Sequence, residues 1–182
     1  EAIDVLVYDE IGTYGVNAAA FAKDIREHKG KKINLRIHSP GGSILDGSAI
    51  FNALKRHKGG VDVYVDGLAA SMASVIMLAG DKVHAAENAL VMIHNPWSVA
   101  VGDSEEMRKT ADLMDKMKDG IVNIYAAKTK KDPDEIERMM DEETWFTADE
   151  AKAFGFVDVV TERMDIAASA HTAEVLARYK KT

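Results

Sequence analysis

Cysteine is missing from all 182 residues of this sequence. The chain therefore has no thiol nucleophile, no disulfide framework and no cysteine-based zinc site. Proline is scarce, with three residues, and no proline-rich linker separates two parts of the chain. Because the length is close to the roughly 150 residues of a typical domain, we expect a single domain.

Long apolar runs and basic runs are also missing. The longest apolar stretches, such as residues 68–78, fall short of the roughly 20 residues that span a bilayer. Lys and Arg total 23 against 30 Asp and Glu, which gives a net charge of −7. An acidic chain is a poor partner for a phosphate backbone, so we expect neither nucleic-acid nor membrane binding. The first residues lack the basic start and apolar run of a signal peptide, which favours a cytoplasmic location.

The first half of the chain alternates between β-branched runs and stretches with helical spacing of apolar residues. Hydrophobic residues make up 47% of the chain, the ordinary share for a globular protein. The alternation predicts βαβ units and an α/β fold with a mainly parallel sheet. The predicted strands are residues 3–8, 33–37, 61–65, 82–84 and 89–93, and the predicted helices are residues 16–28, 44–58 and 72–79.

The second half is predicted to be mostly helical. Asp103 offers an N-cap with an acidic first turn, and it starts a long helix over about residues 103–128. We expect this helix to protrude from the domain as an arm. One of its faces, available for core packing or for a contact with another subunit, carries Met107, Ala111, Met114, Ile121 and Tyr125.

Three more elements are predicted after the arm. Asp132-Pro133 starts a helix, a capping box opens another at Thr147 that ends near Gly155, and residues 156–160 form a last strand. We expect the domain to cover residues 1–161. The tail, residues 162–182, is predicted to be a loose helix or a frayed end.

Ser71 is the first candidate for chemistry. It lies where the β-branched strand 61–65 and a short turn give way to an apolar helix. Unpaired N–H groups and the positive dipole end of a helix N-terminus stabilise a developing oxyanion, so this hydroxyl is a candidate nucleophile. The alternative is that Ser71 only caps the helix, as serine often does, and this segment alone favours the cap.

A proline-glycine-glycine turn and a histidine accompany this serine. Gly41 and Gly42 allow backbone N–H groups to turn toward a ligand, although an ordinary βα turn has the same composition. His94 ends the predicted strand 89–93, the usual place for a general base, and His38 is its main rival. Because the carboxyl ends of parallel strands share one edge, we expect Ser71, His94 and the glycine turn to meet there.

A carboxylate that orients the histidine would complete a catalytic triad. An acidic cluster just before Trp145 is available for this part, and the residues alone do not choose among its members. An exposed helix end is the alternative interpretation of the same cluster. Its members are Asp141, Glu142 and Glu143.

Three segments, in order and at matching spacing, resemble the proteolytic subunit of the Clp proteases, in the Clp/crotonase superfamily. The resemblance covers about residues 5–160. It implies a repeated ββα spiral fold with a protruding helical handle. The three segments are Ser39-Pro40-Gly41-Gly42, Gly67-Leu68-Ala69-Ala70-Ser71-Met72-Ala73 and Met92-Ile93-His94-Asn95-Pro96.

The resemblance implies a serine endopeptidase that needs neither metal nor cofactor. Ser71 is similar to the family's nucleophile and His94 to its general base. The amides of Gly42 and Met72 would form the oxyanion hole. A peptide substrate would bind along Gly41, Gly42 and Pro96.

The third triad member departs from the family pattern. Counting back from Trp145 places Glu143 where the family usually has aspartate. Glutamate is one methylene longer, so it reaches the imidazole only with a shifted backbone or rotamer. Asp141 remains the alternative.

The resemblance also implies self-association into a ring of seven subunits or a stacked pair of rings. Two departures, a short or missing segment before Ile3 and a compact loop over residues 96–103, look more like phage and prophage relatives that process capsid or scaffold protein. An AAA+ unfoldase is the alternative partner. Two other functions stay open: an acyl-CoA enzyme of the crotonase branch, and a ring scaffold whose triad has decayed.

Overall fold

The computed structural model describes residues 2–162, which form seven strands and six helices. The predicted tail lies outside the described residues except for Glu162. In chain order the elements are β1 (Ile3–Val7), α1 (Ala18–Glu27), β2 (Ile33–Ser39), α2 (Ile44–Lys55), β3 (Val61–Ala70), α3 (Met72–Met77), β4 (Lys82–Ala86), β5 (Leu90–Ile93), α4 (Ser104–Thr129), α5 (Pro133–Asp141), β6 (Thr144–Thr147), α6 (Ala148–Phe154) and β7 (Val159–Thr161).

The strands form one mostly parallel sheet, which confirms the predicted α/β class. Strands β1, β2, β3, β4 and β7 follow one another in parallel order, and β5 pairs in parallel with the second half of β3. Strand β6 is antiparallel to β5. The sheet therefore branches at β3, whose first half pairs with β4 and whose last residues pair with β5.

One face of the sheet carries the core. Alternate residues of β2 and β3 are buried, such as Leu35 and Val63, while their neighbours Arg36 and Tyr64 are partly exposed on the other face. This period of two is expected for strands that are covered on one side only. Residues from α1, α2 and α3 complete the core over that buried face.

Strand β3 is twice as long as predicted, since it runs on from Val65 to Ala70. Asp66 and Gly67 have the composition of a turn, but pairing of residues Leu68–Ala70 with β5 keeps the backbone extended. The predicted last strand, residues 156–160, is wrong in position. Phe156 belongs instead to a buried aromatic cluster with Phe146, Phe154 and Tyr125, and β7 starts at Val159.

Helix α4 begins directly after the predicted cap. Asp103 and Glu106 form a reciprocal capping box, and the helix ends at Thr129. Of the predicted apolar face, Ile121 and Tyr125 pack in the core, while Met107 is exposed and stays available for a contact with another subunit. The N-terminal half of α4 is mostly exposed, and the buried residues of this helix, Ile121, Val122 and Tyr125, all lie in its C-terminal half. Within the described residues, each helix is too short or too polar to cross a lipid bilayer.

We predict that Phe156→Ala strongly destabilises the protein. The Phe156 ring is fully buried, 5.3 Å from Tyr125 and 5.5 Å from Phe146 between ring centroids. Its removal leaves a cavity that costs about 3–5 kcal/mol. Thermal unfolding at fixed protein concentration measures this loss. The matched control is Tyr14→Ala, since Tyr14 is fully exposed, and a midpoint that falls equally in both variants would contradict the predicted core.

Candidate active site

Ser71 lies on a sharp turn between β3 and α3. Its N–H donates to the Met92 carbonyl oxygen at 2.9 Å, which continues the ladder between β3 and β5 by one residue. Its backbone has φ +53°, a conformation that non-glycine residues rarely adopt. The hydroxyl makes no capping hydrogen bond to α3, so the interpretation of Ser71 as only a helix cap is wrong.

The turn delivers the Ser71 hydroxyl to His94. The Oγ of Ser71 lies 2.7 Å from Nε2 of His94, and the imidazole is mostly buried. The pairing follows from register, because Ser71 bonds to Met92 and His94 comes two residues later, just past the end of β5. If the hydroxyl donates to Nε2, the ring proton sits on Nδ1, on the side away from Ser71.

Glu143 faces that second nitrogen. Strand β6 pairs antiparallel with β5 up to Ile93 and Thr144, so the residues just outside this pair, His94 and Glu143, lie opposite each other. An oxygen of Glu143 is 3.9 Å from Nδ1 of His94, an ion-pair distance rather than a hydrogen bond. The carboxylate is 56% exposed, and its other oxygen accepts a 3.2 Å hydrogen bond from the Trp145 indole N–H.

Asp141, the other candidate, is turned toward different partners. The Asn95 side-chain amide donates to it at 2.7 Å, and Lys118 lies 3.5 Å away. The hydrogen bond from Asn95, assisted by the charge of Lys118, lowers the pKa of this carboxyl. Of the two acidic candidates, Glu143 is the one within ion-pair distance of His94.

The glycine turn lies directly against Ser71. A Cβ on Gly41 would be 2.7 Å from the Ser71 Cβ and 2.9 Å from the Met72 nitrogen, so no other residue fits there. Gly42 forms a parallel bridge with Ile11, whose N–H bonds to the Gly41 carbonyl oxygen and whose carbonyl accepts from Ser43. In such a bridge the N–H of Gly42 itself points away from Ile11. Met72 is the first residue of α3, where a helix leaves N–H groups without an intrahelical partner.

A cleft of 540 Å³ opens over these groups. Pro96 lines it, as do Gly41 and Gly42, next to Ser71 and His94. Apolar side chains from α4, from the loop before it and from Leu45 on α2 line the rest of the cleft. Its lining side chains include Leu45, Trp97, Leu113, Met114 and Met117.

The other histidines lie away from this cleft or outside the described residues. His38 packs edge-on against Tyr8, so the structure does not bring it into the site. His84 lies on β4, between β3 and β7, where its ring stacks on Tyr64, and burial lowers its pKa. His28 pairs with Asp24, and His57 donates to the Lys31 carbonyl oxygen. His171 is not among the described residues.

Sequence reasoning missed two features of this site. Strand β6, which carries Glu143 to His94, has only four residues, although their β-branched and aromatic composition is a strand signal. The second is a buried pair behind Ser71, formed by Ser74 and Tyr125, which are joined by a 2.7 Å hydrogen bond. These two residues are 51 positions apart, so no local pattern links them. Within residues 2–162 no group of three or more His, Asp or Glu is arranged to hold a metal ion.

The parallel sheet with a serine–histidine contact at its strand ends defines an α/β protein with a hydrolase-type site. Comparison with known protein families identifies the family. The family model described as Clp protease matches residues 20–164 of this chain. This match covers most of the chain, and the protein belongs to the Clp protease family. The family consists of peptidases, generally of the serine type, whose members typically form oligomeric rings that act on polypeptides.

We predict that Glu143 and Asp141 differ sharply when each loses its charge. Glu143→Gln should lower kcat for peptide hydrolysis about 10- to 100-fold, because its carboxylate is the one facing the imidazole. Asp141→Asn should change kcat less than about threefold, since its carboxylate contacts Asn95 and Lys118. Steady-state kinetics on a fluorogenic peptide measures both. The reverse ranking would show that the acidic partner of His94 is Asp141.

Proposed function

We propose that this protein is a serine endopeptidase that cleaves peptide bonds through an acyl-enzyme. The observation that carries the proposal is the 2.7 Å contact between Ser71 Oγ and His94 Nε2, made at a strand-to-helix turn. A nucleophile and a base at this distance, with unpaired backbone amides beside them, is the arrangement that acyl transfer requires. Membership of the Clp protease family supports the same reaction class.

In the proposed mechanism His94 takes the proton of Ser71 as the hydroxyl attacks the scissile carbonyl carbon. The N–H groups of Gly42 and Met72 stabilise the oxyanion that forms. His94 then protonates the leaving amine, and a water molecule, deprotonated by His94, releases the acyl group from Ser71. Glu143 stabilises the imidazolium across 3.9 Å, with a smaller effect than a buried, hydrogen-bonded carboxylate would have.

The substrate is proposed to be an extended polypeptide bound along the glycine turn. Gly42 is bridged to Ile11 on one side only, so the other side of its backbone is available to a peptide strand. Main-chain hydrogen bonds of this kind hold a peptide without reading much of its sequence. Pro96, two residues after His94, also lines the cleft and would form the other edge of this binding site.

We propose that the chain assembles into a ring of seven subunits or into a stacked pair of rings. The segment before α4 exposes large apolar side chains that a lone subunit leaves in water, such as Trp97 at 74% and Val101 at 94%. Exposed apolar groups in one strip are typical of a contact surface. The ring would enclose the active sites in a chamber.

The natural substrate and the partner of the peptidase are a separate proposal from the reaction itself. Processing of phage capsid or scaffold protein is our first proposal, and work with an AAA+ unfoldase is the alternative. An acyl-CoA reaction of the crotonase type needs no serine–histidine pair, so the contact between Ser71 and His94 favours the peptidase over it. A ring scaffold without activity is the remaining alternative. The labelling experiment described next distinguishes such a scaffold from an active peptidase.

We predict that a fluorophosphonate probe labels the wild-type protein and not Ser71→Ala. The probe reacts only with a serine whose hydroxyl is activated, so labelling reports the contact with His94. The matched control is Ser48→Ala on α2, which lies outside the cleft and should label like the wild type. Absence of labelling in the wild type, measured on the assembled protein, would favour the scaffold or the acyl-CoA enzyme.

We also predict that native mass spectrometry finds seven or fourteen copies of the 19.9 kDa chain. Replacing Val101 with glutamate places a charge in the exposed apolar strip and should reduce the largest assembly to a smaller one. Asn123→Glu serves as the control, since it adds the same charge at an exposed position of α4 that does not line the cleft. A purely monomeric wild type at micromolar concentration would contradict the proposed ring.

A further inference from the structure

A buried polar pair lies directly behind the nucleophile. Tyr125 on α4 and Ser74 on α3 are both almost completely buried, and neither lines the cleft. Their hydroxyl groups are 2.7 Å apart. The mechanism proposed above does not use either residue, and burying two hydroxyl groups in an apolar core is costly unless both are hydrogen-bonded.

The direction of each hydrogen bond follows from counting protons. The Ser74 hydroxyl lies 2.6 Å from the Ser71 carbonyl oxygen, which can only accept, so the single proton of Ser74 goes there. The Tyr125 hydroxyl must therefore donate to Ser74. The result is a chain of two hydrogen bonds from Tyr125 through Ser74 to the main chain of Ser71. Burial raises the pKa of Tyr125, which favours the neutral form that can donate this hydrogen bond.

The acceptor of this chain belongs to the peptide group that the proposed reaction needs. The Ser71 carbonyl and the Met72 N–H are two ends of one planar trans peptide, so they point in opposite directions. Holding the carbonyl oxygen toward the core thus turns the Met72 N–H toward the cleft. A carbonyl that accepts hydrogen bonds also polarises its peptide, which makes the N–H at the other end a better donor.

This peptide plane needs support beyond its own helix. Ser71 is held at φ +53°, and α3 has only six residues. A conformation of this kind persists only where the surroundings hold it in place. The backbone supplies one restraint, a 3.0 Å hydrogen bond from the Ser74 N–H to the same carbonyl oxygen, and the hydroxyl chain supplies the second.

We propose that Tyr125 and Ser74 are positioning residues that fix the Ser71–Met72 peptide plane and so direct the Met72 N–H at the oxyanion. The inference rests on the proposed function, since it assigns a role within that reaction. Ser74 acts on the peptide directly, and Tyr125 acts only through Ser74. These hydrogen bonds connect the C-terminal part of α4, which carries Tyr125, to the proposed oxyanion hole.

The test compares Tyr125→Phe, Ser74→Ala and the double variant in the full-length assembled enzyme. We expect kcat to fall about 3- to 10-fold in Tyr125→Phe and about 10- to 100-fold in Ser74→Ala, with KM unchanged, because an oxyanion donor acts in the transition state. The inhibition constant of a peptide aldehyde, whose adduct with Ser71 has an oxyanion, should rise by the same factors. Tyr64→Phe on the open face of the sheet is the matched control and should behave as the wild type.

The double variant separates positioning from stability. Ser74→Ala alone leaves the Tyr125 hydroxyl buried without its partner, whereas the double variant removes both hydroxyl groups and should be the more stable of the two. We nevertheless expect equal kcat in both, since Tyr125 has no route to the peptide plane without Ser74. Ile25→Val, a core change on α1, should lower the thermal midpoint without altering kcat.

Three results would overturn the inference. Unchanged kcat and aldehyde affinity in Ser74→Ala would show that the backbone bond alone holds the peptide plane. If the double variant regained both kcat and stability relative to Ser74→Ala, the role of Ser74 and Tyr125 would be structural only. A wild type that neither cleaves peptides nor binds the aldehyde would instead overturn the proposed function, and this inference with it.

Discussion

The hydrogen bond from the Ser71 N–H to the Met92 carbonyl oxygen is the interaction on which the site depends. It extends the pairing of β3 and β5 by one residue and brings the end of one strand beside the end of the other. From there a single turn with positive φ points the Ser71 hydroxyl at His94. Had β3 ended at Val65, as its composition suggests, Ser71 would have no fixed relation to His94.

The surrounding elements each restrain one part of this junction. Strand β6 carries Glu143 to the far side of the imidazole, and the bridge between Ile11 and Gly42 fixes the glycine turn against Ser71. The Phe156 ring packs edge-on against Tyr125 and so supports the hydrogen bonds that run from Tyr125 through Ser74 to the Ser71 carbonyl oxygen. The sheet, the glycine turn and the core therefore each hold Ser71 in place. A backbone in a strained conformation persists only with such support.

Much of this arrangement could be predicted from the sequence, because it follows from local patterns. Alternating strand and helix signals gave the parallel sheet, and the shared edge of parallel strands brought Ser71, His94 and the glycine turn together in the prediction. The cap at Asp103 located the start of α4.

What could not be predicted depends on contacts between distant segments. The extension of β3 and the existence of β6 come from pairing with β5, not from their own composition. The family resemblance placed Glu143 opposite His94, but the residues alone left Asp141 open, because the order of residues does not contain the direction of a side chain. The pair Ser74 and Tyr125 meets only because α4 crosses behind α3. Half of the apolar face of α4 stays exposed for a related reason, since the core ends before the helix does.

The most direct test of the account is a crystal structure of the protein after reaction with a fluorophosphonate. The account predicts a covalent bond from phosphorus to Ser71 Oγ, with the phosphoryl oxygen about 2.7–3.1 Å from the amide nitrogens of both Gly42 and Met72. His94 should remain within hydrogen-bond distance of the adduct. An adduct whose oxygen points to solvent, with either amide turned away from it, would contradict the central claim that these separate segments build one oxyanion site around Ser71.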